Sequence, residues 1–66
     1  MKRDEYLQKI TNKISKFETF ECRAIFNNFS ARTNDVYKGV IVKDLPLDAL
    51  RLLNIELDNS IRLFLR

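Results

Sequence analysis

Phe20-Glu21-Cys22-Arg23-Ala24-Ile25-Phe26-Asn27 is the stretch on which the fold turns. Read with period two, Phe20, Cys22, Ala24 and Phe26 share one face and all four are apolar. Glu21, Arg23 and Asn27 take the other face, with Ile25 the exception. Read with the helical period, Phe17, Phe20, Ala24 and Ile25 gather on one side, but Cys22, Phe26 and Phe29 fall elsewhere. The alternating template fits better and predicts a strand over 20–27. Its rival is a mostly helical protein in which residues 18–29 form a second helix.

Upstream, Leu7, Ile10, Ile14 and Phe17 recur at i, i+3, i+7 and i+10, which predicts an amphipathic helix over 3–17. Lys2, Lys9, Lys13 and Lys16 lie on its opposite side. Asp4 and Glu5 sit in the first turn and Lys16 in the last, where the helix dipole favours each sign. Downstream, Asn28–Asp35 is rich in side chains that bond their own backbone in turns, the signature of a loop. Val36–Lys43 is β-branched and aromatic, which predicts a second strand, with Gly39 marking a bulge. The two strands would form a hairpin with a long loop.

Asp44 and Asp48 flank Pro46 as the start of a short helix over 46–53, with Leu47, Leu50 and Leu53 on its stripe and Asn54 as its C-cap. Ile55 and Leu57 then alternate with Glu56, Asp58-Asn59 is a turn pair, and Ile61, Leu63 and Leu65 alternate again: a short strand, a tight turn and a final strand. The expected fold class is α+β. Residues 1–18 form a basic amphipathic helix and residues 19–66 a small β-β-α-β-β domain.

Composition removes most chemistries. A chain of 66 residues is one domain at most, near the lower limit for a self-sufficient core. It contains no His, so His-dependent zinc sites and catalytic triads are excluded. The lone Cys22 excludes internal disulfides and thiolate zinc clusters, and its place on the inner face reads as a small core residue. Ser15, Ser30 and Ser60 have no motif around them, there is no Gly-rich phosphate loop, and capping accounts for the Asp44/Asp48 pair. The expectation is a protein that is no enzyme and holds no metal or cofactor. No apolar run exceeds three residues, far short of a membrane span or a signal peptide, so a cytoplasmic protein with a reduced thiol is expected.

The segment Leu45–Leu65 resembles the AbrB/MazE family of swapped-hairpin DNA-binding domains. Leu45-Pro46 matches the step out of a strand, Leu53-Asn54-Ile55 the exit from a two-turn helix, and Asp58-Asn59 the turn. Ile61, Leu63 and Leu65 match the closing strand. The resemblance covers about 21 of 66 residues. It implies an intertwined homodimer in which each chain's hairpin completes the other's barrel. The chain departs from the pattern in its first half, where the loop is much longer and Lys43-Asp44 precedes the Leu-Pro step, so the family's DNA-contacting positions do not carry over.

Charge adds a little. Twelve Lys/Arg against nine Asp/Glu give a net +3. Residues 1–16 hold all of this excess, and residues 17–66 are neutral. Two functions follow as expectations. The first is a small dimeric DNA-binding transcriptional regulator or antitoxin-like protein, with Arg23, Arg32, Lys38 and Lys43 on the hairpin as its nucleic-acid contacts. The second is a non-catalytic inhibitor or adaptor that binds a partner protein, with Lys9, Lys13 and Lys16 as a partner-binding stripe. Phe26, Phe29 and Tyr37 read as core aromatics rather than base-stacking ones.

Overall fold

In the computed structural model, which describes residues 2–64, Cys22, Ile25, Phe26 and Phe29 fall at i, i+3, i+4 and i+7 of a helix. Ile25 and Phe29 are buried, and Cys22 and Phe26 are half-buried. That spacing is one face of a helix. The expected strand over 20–27 is therefore α2 (Thr19–Arg32), which also takes in the first part of the expected loop. Of the four residues that share a face in the alternating reading, Phe20 is 68% exposed and Ala24 is exposed as well. Glu21 sets the start of the helix, its carboxylate accepting the Glu18 backbone N–H at 2.9 Å.

With 20–27 helical, the run at 36–43 has no strand to pair with, and a lone strand would leave its N–H and C=O groups unsatisfied. The chain turns instead. Val36, Lys38 and Val40 donate their N–H groups to the carbonyls of Thr33, Asp35 and Tyr37 at 3.1–3.2 Å. Asn34 and Asp35 adopt φ of 55° and 60°, the left-handed region that their short polar side chains tolerate. This lets the Asp35 N–H reach back to the Ser30 carbonyl at 2.8 Å and close α2. A single 3-10 turn at Val42–Asp44 leads into the last helix.

That helix, α3 (Leu47–Phe64), runs through the expected short helix, its C-cap, the strand, the turn and most of the final strand. Leu65 and Arg66 lie outside the described residues. Leu50, Leu53, Leu57 and Ser60 are all buried, at i, i+3, i+7 and i+10. Asn54 is not a cap and Asp58-Asn59 is not a turn, since all three are helix interior. No strand occurs among the described residues, so the α+β class, its β-β-α-β-β domain, the AbrB/MazE resemblance and the swapped-hairpin dimer are all overturned.

The first helix, α1 (Lys2–Ile14), lies where the Leu7–Phe17 spacing places one, ending three residues earlier in a hydrogen-bonded turn. It contributes Ile10 to the core, α2 contributes Ile25 and Phe29, and the remainder is Leu45, Ala49, Leu50, Leu53 and Leu57. Tyr37 stacks on Phe29 with ring centroids 6.2 Å apart, which ties the long connection to this core. α1 and α3 run parallel. The Arg3 guanidinium donates to the carbonyls of Lys43 and Leu45 just ahead of α3. Lys13, near the far end of α1, reaches Asn54 and Asp58 midway along α3. The radius of gyration, 11.1 Å, matches the value of about 11 Å expected for a single packed chain of this length.

Candidate functional site

The basic side chains divide into those the fold consumes and those it leaves outward. Lys13 Nζ donates to Asn54 Oδ1 and pairs with Asp58 Oδ1, both at 2.6 Å, with only a fifth of the side chain exposed. It staples α1 to α3. Arg32, expected on DNA, pairs through Nε with the carboxylate of Glu56, which is only 7% exposed. A buried carboxylate needs such a partner, because an unpaired one is costly to take out of water. Arg3 is likewise occupied, capping the turn ahead of α3.

The remaining expected contacts are spread out. Arg23 is exposed on α2 and lines a wide depression with Phe17, Glu18, Thr19 and Phe20. Lys38 is exposed in the turns after α2, Lys43 in the 3-10 turn, and Lys16 just beyond α1. Thus Arg23 and Arg32 line different depressions. Phe29 is buried, Phe26 and Tyr37 are half-buried, and Cys22 faces α1 with its thiol 3.9 Å from the Ile14 carbonyl.

Two surfaces concentrate something. The first is a depression of about 320 Å³ between α2 and α3, lined by Phe29, Arg32, Leu52, Ile55 and Glu56. Leu52, Ile55 and Leu63 are 48%, 54% and 66% exposed. At 100° per residue they fall within roughly 80° of one another on the outer side of α3. The sequence reading missed this ridge because it divided the segment between a helix and two strands. The signal was present in the i, i+3, i+11 spacing.

The second surface is a groove of about 250 Å³ between α1 and α3, lined by Lys2, Glu5, Tyr6, Lys9, Leu47 and Arg51. Lys9 lies over the Tyr6 ring with its ammonium 5.6 Å from the centroid. Lys2 and Lys9 belong to the basic stripe of the sequence, whereas Arg51 joins them only because α1 packs parallel to α3. No three of the His, Cys, Asp and Glu side chains among the described residues gather closely enough to hold a metal ion. No helix among the described residues is long and apolar enough to cross a membrane. Compared with family models, curated proteins and solved structures, the chain matches none of them.

Proposed function

We propose that this protein is a non-catalytic binding module, an inhibitor or adaptor, that engages a partner protein through the outer face of α3 and acts in the cytoplasm. The observation that carries the reading is the exposed outer face of α3 with Leu52, Ile55 and Leu63, of which Leu52 and Ile55 line the depression over Phe29. Single exposed aliphatics are ordinary, but Leu52 and Ile55 sit one turn apart at the mouth of a depression, the arrangement that marks an interaction surface. The ridge spans eleven residues, about 16 Å at 1.5 Å per residue, the length over which a helix laid alongside places three anchors.

The chemistry at its edge selects the partner. Arg32 uses Nε on Glu56 and remains 71% exposed, so its terminal nitrogens can take a second carboxylate in a bidentate bond. The net charge of +3 acts in the same direction. The occupant is an acidic amphipathic helix, with aliphatic residues for the ridge and a carboxylate for Arg32. The DNA-binding regulator reading has less to rest on, because its hairpin is absent among the described residues.

Site-specific photocrosslinking in the cell that makes the protein tests the proposal. A photoreactive residue at Ile55 should capture one protein at an acidic helical segment, and Leu52→Asp should abolish the product. Capture only of a second copy of this chain would overturn the reading, as would equal capture from a probe at Lys38.

A further inference from the structure

We infer that the groove between α1 and α3 binds a row of two or three phosphate groups, held by Lys2, Lys9 and Arg51. Of its six lining residues three are cationic and only Glu5 is acidic, so the groove carries two positive charges in excess. The fold leaves these cations unspent. Arg3 and Lys13 are taken by protein groups, and Arg32 uses its Nε on Glu56. The side chains of Lys2, Arg51 and Glu5 make no hydrogen bond or ion pair among the described residues. Three like charges gathered around one concavity repel one another, and among the described residues only Glu5 brings a carboxylate to the groove, without pairing with any of them.

The geometry favours an extended anion over a single one. Lys2 and Lys9 are two turns apart on α1, about 10 Å along its axis, and Arg51 faces them from α3. That span suits a chain of phosphates rather than one tetrahedral ion. Arg51 can bind phosphate oxygens bidentately, whereas the lysines act as point charges along the row. The Tyr6 ring steadies Lys9, and Tyr6 also lines the groove, where its hydroxyl can donate to an oxygen. Asp4 and Asp48 occupy the first turns of the same two helices, but neither lines the groove. Its lining shares no residue with the depression between α2 and α3.

The same phosphate chemistry is offered by a free oligophosphate and by the backbone of a single nucleic-acid strand. Backbone-amide NMR titrations of the full chain with tripolyphosphate and with a six-nucleotide oligothymidylate separate the two sources. Shifts centred on residues 2–9 and 47–51 with either probe support the site, and the probe that binds more tightly identifies the source. Lys9→Gln combined with Arg51→Gln should weaken binding at least tenfold with an unchanged amide spectrum elsewhere, while Lys38→Gln should not alter it. A tenfold rise in salt should reduce the affinity about 100-fold, since three phosphate contacts give a slope near −2 for a single strand. Absent shifts with both probes overturn the site. So do shifts of equal size around Lys16, Lys38 and Lys43, or an affinity that survives the double substitution.

Discussion

Glu56 is the residue on which the chain takes its largest electrostatic risk. It is a carboxylate 7% exposed beside a depression lined by Phe29, and its partner is the mostly exposed Arg32. Such a pair adds little net stability over a neutral one, but removing one half exposes the cost of the other. Arg32→Ala should therefore destabilise the fold by about 1–2 kcal/mol, less than a fully buried pair because solvent screens the guanidinium. Glu56→Gln should cost less, because a neutral amide needs no counter-charge. Arg32→Ala on the Glu56→Gln background should then be nearly silent. Urea midpoints of the four proteins in this double-mutant cycle check the statement, and additive losses would contradict it.

At the scale of elements, α3 is one helix where alternation suggested a helix and two strands. Asn59→Pro should cost about 3 kcal/mol or more, because a helix-interior proline removes a backbone hydrogen bond and clashes with the preceding turn. A turn at Asp58-Asn59 would tolerate the change. The loss is read in the far-ultraviolet circular dichroism and the melting temperature. The same helix shows how far the sequence could be read. α1 was legible because Leu7, Ile10, Ile14 and Phe17 admit one period only. In α3, residues such as Leu53, Ile55, Leu57, Ile61 and Leu63 satisfy the alternating and the helical templates together, because both its core side and its outer ridge are aliphatic. Asn54 and Asp58 pointed to a cap and a turn, and their actual use, as acceptors for Lys13, depends on a helix 41 residues away in sequence. Val36–Lys43 has strand-forming residues but no strand to pair with, a fact decided elsewhere in the chain. Of the candidate site, the Lys2/Lys9 half was visible as a helical stripe, whereas Arg51 was not, because only packing brings it there.

For the molecule as a whole, the core is supplied chiefly from one end. Five of the eight buried apolar residues, Leu45 through Leu57, come from the last helix and the residue that leads into it. Ile10, Ile25 and Phe29 have little to pack against without them. A fragment of residues 1–44 should therefore show little helical circular dichroism, and an added peptide of residues 45–66 should restore it, because helices of 13 and 14 residues are marginal in water alone. A helical fragment of 1–44 would contradict this. The parallel pairing of α1 with α3 has a consequence in time. Its contacts join residues about 40 positions apart, so the chain must close a long loop before the first and last helices stabilise each other. During synthesis α1 is made before α3. Its apolar face must wait for α3 to emerge, and the burden of avoiding aggregation in that interval falls on the lysines along its other side.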